Sequence, residues 1–345
     1  MGTDRGPDGR ELARAYYEQL VWPLLASRWP AFPHAAGRLG QGSDVLGLDD
    51  ETSRDHDWGL RLSLFVDAAM TDEVRSFLDG ALPDTFLGLP TRFAFTGQSR
   101  EVHHIEVDSV SGFTTARLGF DPGQGMNDTD WLSLTGQAVL EVTGGPVFAD
   151  TTGEIGAVHR LLEWYPDDLW RYVVACDWLR VEQELPLMSR AGERGDDLGS
   201  RVIAARLVDV LVHLAFLLER RWAPYSKWRG TLFGELKSAA GVQPRLTAVL
   251  EASDWRARQG ALREVLDRLL EAQRAAGLPA PGPATVPFWD RPYLMPNENV
   301  AASLLDGVAS PAVRALPRGR GSVEQRTDNV AILADPVARR CLATC

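Results

Sequence analysis

Two acidic side chains, Asp55 and Asp57, stand one residue apart in Ser53-Arg54-Asp55-His56-Asp57-Trp58, and eleven residues (44–54) separate them from a Gly42-Ser43 pair. On a strand, successive side chains alternate faces, so Asp55 and Asp57 project together and His56 points the other way. Their spacing along such a strand is about 6.6 Å, at ~3.3 Å per residue. Two carboxylates so placed can converge on one divalent cation. An oxygen-only donor set suits magnesium, with manganese as the alternative. Gly42 lets the backbone approach closely, and consecutive amides with the Ser43 hydroxyl can donate to phosphate oxygens. A helix beginning just after Ser43 is expected to add its positive end. A phosphate cradle beside a metal-binding carboxylate pair is the minimum kit for phosphoryl or nucleotidyl transfer. Either feature alone is commonplace. Their order, their spacing and the apolar run directly after Asp57 carry the reading.

The elements that must hold these residues are legible in part. Apolar positions at helical spacing (Leu12, Ala15, Tyr16, Leu20, Val21) predict a helix over 10–28, stopped by Pro30 and Pro33. Residues 55–66 alternate, with Trp58, Leu60, Leu62 and Leu64 on one face and Arg61 and Ser63 on the other, which predicts a strand. A short helix is expected over 71–79 with Thr71 as its N-cap, and further strands over 92–96 and 101–108. This α/β half ends near Gly144-Gly145-Pro146. Helical periodicity then dominates 154–165, 167–190, 197–222 and 255–276. The stretch Ile203–Leu218 is apolar nearly all round, which places that helix at the centre of a bundle. The expected organisation is an α/β domain over 1–150, a helical bundle over 151–280, a linker rich in Pro, Ala and Gly over 278–287, and a tail to 345. In that tail, Trp289-Asp290-Arg291-Pro292-Tyr293 reads as a domain-packing strip.

The chain has 345 residues, 45% hydrophobic and 24% charged, which suits a two-domain globular protein and excludes a disordered or disulfide-stapled one. No run approaches the ~18 continuous apolar residues of a membrane span. The first twenty residues lack the apolar core of a secretory signal, so the cytoplasm is the expected compartment. Three scattered cysteines imply neither a zinc site nor a disulfide framework. A net charge of −11 argues against a general polyanion binder, so long nucleic acid is not an expected partner. No Walker loop, dinucleotide-binding glycine motif or nucleophile elbow is present. His103 and His104 are strand neighbours that face opposite sides and cannot share one ion. His159 and His213 fall within helical patterns and read as satisfied core residues; Arg190 and Arg194 lie in a mixed-sign run that reads as a solvated helix end.

The Gly-Ser, spacer, Asp-X-Asp array resembles the signature of polymerase β-like nucleotidyltransferases. Gly-Pro-Val-Phe-Ala-Asp (145–150), Trp-Tyr-Pro-Asp-Asp (164–168) and Pro-Tyr-Ser-Lys-Trp (224–228) extend the likeness over about 1–280, toward the bacterial domain of unknown function 4037 family. The resemblance implies an α+β fold, with a small mixed sheet in the N-terminal domain followed by helices, and an active cleft between the two. It implies a third carboxylate on a neighbouring strand, for which Glu106 in Ile105-Glu106-Val107 is the first choice and Asp108 the rival. Glu in place of the commoner Asp departs from the pattern, and its longer arm puts the metal geometry in question. The resemblance further implies that Lys227 reaches the triphosphate; Tyr225 and Trp228 are candidates to stack on the base, with packing as the competing role. The implied substrates are a nucleoside triphosphate, ATP first, and a small hydroxylated acceptor. A protein side chain or tRNA end is the alternative acceptor, and a catalytically silent binding module is the alternative class.

Overall fold

The computed structural model describes residues 8–54 and 57–344. The chain divides into two compact units, one made of the chain up to Met126 with Ala138–Glu163, the other of Asn127–Gln137 with Trp164 onward.

In the first unit, α1 (Gly9–Tyr16) and α2 (Trp22–Arg28) are joined by a π-helical turn, Tyr17–Val21, and together realise the helix expected over 10–28. Asp8 starts α1 through a capping box with Glu11, which satisfies two amides that have no helical partner. The strands are β1 (Ala35–Gly37), β2 (Arg61–Phe65), a short hairpin of β3 (Thr85–Phe86) and β4 (Leu89–Pro90), β5 (His104–Asp108) and β6 (Val147–Asp150). Four of them form one sheet in the order β5-β2-β1-β6, with β2 and β5 parallel and the other pairs antiparallel. A parallel pair needs a crossover, and the chain between β2 and β5 supplies it with α3 (Thr71–Ala81). Leu62, Leu64, Ile105, Val107 and Ala36 bury one sheet face against Leu12, Tyr16, Val21 and Leu25. The other parity puts Gly37, Ser63 and Glu106 in register on the opposite face. Phe113 of α4 (Val110–Leu118) meets Phe65 edge-on there, at 4.8 Å between ring centroids.

Four expectations are corrected here. The strand placed at 55–66 begins only at Arg61, because Asp57 (φ +54°) and Gly59 (φ +150°) break the extended backbone ahead of it. Phe93 closes on Gly59, its ring 3.1 Å from where a Cβ would stand. Asp57 is therefore not a strand residue; Asp55 and His56 lie outside the described residues. Residues 92–96 make only a single bridge, Phe93 to Val102, and not a strand. Thr71 does not cap α3: Met70 occupies that position, and the Asp67 carboxylate takes the Ala69 amide one short turn earlier. After Ser43 comes a three-residue 3-10 turn, Asp44–Leu46, closed by Gly47 at φ +71°, and not a helix with a usable positive end.

The chain next makes α5 (Asp128–Ser133) of the second unit, then α6 (Gly136–Thr143) and α7 (Glu154–Leu161). The second unit is built on α8 (Asp167–Glu193) and α9 (Asp197–Leu218), followed by α10 (Ser226–Phe233), α11 (Ala239–Glu251) and α12 (Trp255–Ala275). The all-round apolar character of α9 translates into burial on every side only from His213 to Leu218; ahead of that, Arg201, Val202 and Asp209 stay exposed. The segment expected as a linker is packed: Leu278 and Ala284 are buried, and the chain runs straight into the hairpin of β7 (Thr285–Pro287) and β8 (Leu294–Pro296). Of the strip at 289–293, Tyr293 is buried against Trp255 while Trp289 is 80% exposed. The tail adds α13 (Glu298–Asp306), which packs on α8, then α14 (Pro311–Arg314), α15 (Val330–Ala334) and α16 (Pro336–Thr344). No helix among the described residues is long and apolar enough to cross a membrane.

Gly145 shows how tightly the β1–β6 corner is drawn. A Cβ there would lie 1.7 Å from the Arg38 carbonyl oxygen, a backbone atom with nowhere to retreat. Gly145→Ala is expected to destabilise the protein by about 3 kcal/mol, read as a fall in the urea midpoint with an unchanged slope.

Candidate active site

The chain leaves β1 at Gly37 and enters a loop in which the Leu39, Gln41, Asp44 and Val45 carbonyls accept from arginines. Arg38 is 2% exposed and Asp44 is 4% exposed, and they form a two-point ion pair: Nε donates to Oδ2 at 2.6 Å and Nη2 to Oδ1 at 2.8 Å. The same guanidinium donates to the Leu39 carbonyl at 2.6 Å and the Gln41 carbonyl at 2.8 Å. Arg61, first residue of β2, donates a second bond to the Gln41 oxygen at 2.8 Å. From the other side, Arg10 of α1 holds the Asp44 carbonyl at 2.9 Å and the Val45 carbonyl at 2.6 Å. Gly42 sits at φ +135°, and a Cβ there would collide with Asp44 Oδ1 at 2.2 Å and Arg38 Nη2 at 2.6 Å. Only glycine fits between the two halves of the pair. Ser43 follows in a helical conformation (φ −62°, ψ −32°), with its hydroxyl not used to cap the turn.

Acidic groups border this loop. Glu106 faces it from β5, directly across from Ser63, whose hydroxyl donates to the Leu39 carbonyl at 3.2 Å. Both Glu106 oxygens are taken by one nitrogen of Arg117, at 3.0 and 2.7 Å. Asp57 accepts the Thr96 amide at 2.6 Å. Burial, then the charge of Arg38, bring the Arg61 pKa down to about 10, against the pull of Asp44, Asp57 and Glu106, so it remains a cation at neutral pH. Asp108, the rival third carboxylate, turns its Oδ1 to the Ser109 amide at 2.7 Å.

Among the described residues no three His, Cys, Asp or Glu side chains converge as a metal centre. Asp57 offers oxygen donors of the type magnesium takes. Glu106 is already neutralised by Arg117, so the described donors alone do not make the expected centre. The histidines are structural. His104 lies against the Phe95 ring at 3.8 Å and bonds the Phe93 carbonyl, while His103 pairs with Asp79 on the other side. Burial lowers the pKa of both.

Lys227, Tyr225 and Trp228 belong to the second unit. Tyr225 precedes α10, and the Lys227 ammonium rests over the Trp228 ring at 4.8 Å. A buried polar cluster of that unit lies elsewhere, where His213 Nδ1 meets Asp177 Oδ2 at 2.7 Å and Nε2 lies 4.0 Å from Glu324. A small pocket lined by Trp164, Tyr165 and Trp222 opens on His213 and Glu324. Burial lowers the His213 pKa, but the charge of Asp177 and its hydrogen bond, then Glu324, outweigh it, and the net shift is upward. Glu324 is raised by burial. Arg190, read as part of a solvated helix end, bonds Glu193 and reaches the Tyr293 hydroxyl at 3.5 Å.

The sequence does not mark Arg38, Asp44, Arg61 and Arg117 as site residues. Asp44 directly follows Ser43 and Arg61 lies within the alternating run, but nothing in one dimension shows that these charges face one loop.

Residues 131–229 match the model of a family described as Domain of unknown function (DUF4037). The match takes in 145–150, 164–168 and 224–228 and leaves out the Gly-Ser and Asp-X-Asp segments. No curated protein gives a significant match. Among solved structures, a nucleotidyltransferase-like protein from Exiguobacterium sibiricum 255-15 aligns over 76% of this chain and 78% of its own, with 14% identity and a TM-score of 0.32.

Two outcomes follow from the charges. Removing one partner of the Arg38–Asp44 pair strands a buried charge, so Asp44→Asn is expected to cost about 3–5 kcal/mol, and Arg38→Met with Asp44→Leu to recover most of it; chemical denaturation of the wild type and the two variants decides. His213 has a folded pKa above its ordinary 6.5, so its contribution is full below pH 6.5 and lost as pH rises through the folded value. The melting temperature of the wild type should exceed that of His213→Gln most below pH 6.5, and the gap should narrow as pH rises.

Proposed function

We propose that the protein is a nucleotidyltransferase that moves a nucleoside monophosphate from a triphosphate, ATP first, to a hydroxyl of a small acceptor. The observation that carries this reading is the Gly40–Val45 loop, clamped by Arg38 and Arg10, bordered by Arg61 and Arg117, and set beside the strand pair that holds Ser63 and Glu106. A rigid turn with four guanidinia around it is pre-organised for a polyanion, because no loop ordering is needed on binding. In this reading the Gly42 and Ser43 amides and the Ser43 hydroxyl receive the terminal phosphates. Arg61 adds a fixed positive charge.

Asp55 and Asp57 are the residues that would hold magnesium, which when bound supplies neutralisation of the triphosphate and of the departing pyrophosphate. Asp57 is steadied for such a role by the Thr96 amide. Lys227 is proposed as a further phosphate contact and Tyr225 and Trp228 as base contacts. The net charge of −11 favours a small acceptor over long nucleic acid, with a protein or tRNA acceptor as the alternative. One observation favours a second reading, a nucleotide-binding module without catalysis: Glu106 is occupied by Arg117.

Asp57→Asn keeps an oxygen for the Thr96 amide, so the fold should survive. Pyrophosphate release from ATP with a panel of hydroxylated acceptors should fall by about 100-fold or more in Asp57→Asn and in Asp55→Asn, with melting temperature unchanged. Thermal stabilisation by ATP that needs magnesium supports the enzyme, and stabilisation indifferent to it supports the module.

A further inference from the structure

Arg117 is held in a way that a simple surface ion pair does not require. Its side chain is only 14% exposed, and its guanidinium lies 3.6 Å over the Phe113 ring. One terminal nitrogen, Nη1, donates to the Phe113 carbonyl at 3.3 Å; the other, Nη2, lies between the two Glu106 oxygens. That same Nη2 is 2.9 Å from where a Cβ of Gly40 would stand, so it rests against the backbone of the loop, where a side chain at position 40 would displace it. Arg38 and Arg61 meet the same loop at Gln41. Of the three guanidinia, Arg38 is locked by a buried carboxylate with 6% side-chain exposure, whereas the partner of Arg117 is 44% exposed. Water screens the second pair and not the first, so the Arg117–Glu106 bond is the one that exchanges at little cost.

We propose that Arg117 is a polyphosphate ligand of the loop held in reserve by Glu106: an incoming phosphate takes the guanidinium, and the Glu106 carboxylate is released toward the site. This rests on the phosphate-binding reading of the loop and names the residue that completes it. The exchange conserves charge pairs. Before binding, Arg117 faces the Glu106 carboxylate; after it, Arg117 faces a phosphate oxygen of equal or greater charge, and the freed carboxylate stands beside Arg61, whose charge already acts on it. Glu106 thus occupies the anion position until substrate arrives, which accounts for a carboxylate that faces the loop and is bound by a guanidinium.

The test is titration calorimetry of the full chain with inorganic tripolyphosphate in metal-free buffer, with melting temperatures as controls. Glu106→Gln removes the competitor and should bind about tenfold more tightly than wild type. Arg117→Ala should bind about tenfold more weakly, and the double variant should match Arg117→Ala. Arg117→Lys keeps the charge without the planar fork, should fall between, and serves where Arg117→Ala lowers the melting temperature. Equal affinity of Glu106→Gln and wild type overturns the reserve role, and undiminished binding by both Arg117 variants overturns the ligand role. If wild type binds no tripolyphosphate, the phosphate-loop reading itself falls, a result distinct from either.

Discussion

The first unit turns on one desolvated ion pair. Arg38 and Asp44 close a six-residue loop in which the guanidinium answers the carboxylate twice and two backbone carbonyls besides. A buried charge pair holds only when every donor and acceptor around it is met, since desolvation otherwise outweighs the attraction. That demand explains the neighbours. Gly42 is glycine because the pair occupies the space of a Cβ, and Gly145 is glycine because the Arg38 carbonyl does. Arg10 completes the clamp from α1, so the helix that buries the core also immobilises the loop.

The loop gathers guanidinia within an acidic molecule, each set against a nearby carboxylate. The chain carries 47 acidic and 36 basic side chains, yet arginines crowd around Gly40–Gly42. A continuous basic surface would suit a long polyanion. A handful of guanidinia inside an acidic protein suits a compact anion and repels extended ones. The second unit shows the converse arrangement, with Asp177 and Glu324 gathered on one buried histidine and Gln325 donating to Asp177 at 2.6 Å. There the hydrogen bonds are directed inward, to the packing of α8, α9 and the tail.

Long periodic segments were legible in the sequence. The helices at 10–28, 167–190 and 255–276 and the buried set Leu60, Leu62 and Leu64 emerge close to where spacing placed them, because each follows from a face that must leave water. The misses have physical causes. Helix α11 contains Pro244, and the tail helices α14 and α15 are four and five residues long, too short to declare a period. The segment 278–287 has the composition of a linker, but the side chain of Asn297 reaches the Pro283 carbonyl at 3.1 Å and draws it onto the unit. At 92–96 the alternation of a strand was present without a partner strand to satisfy it.

What the sequence determined by itself was a matter of residue type and period: which segments are amphipathic, where glycine permits a tight turn, and that the carboxylates around position 56 follow a Gly-Ser pair. The tertiary structure alone decided which charges meet. Arg38 with Asp44, Arg61 with Gln41 and Arg117 with Glu106 are joined across six, twenty and eleven positions by loops and strand register. Periodicity says which side of an element faces the core, since burial acts on every residue of a face alike. It says nothing of polar partners, because an ion pair depends on two distances that only the closed chain sets.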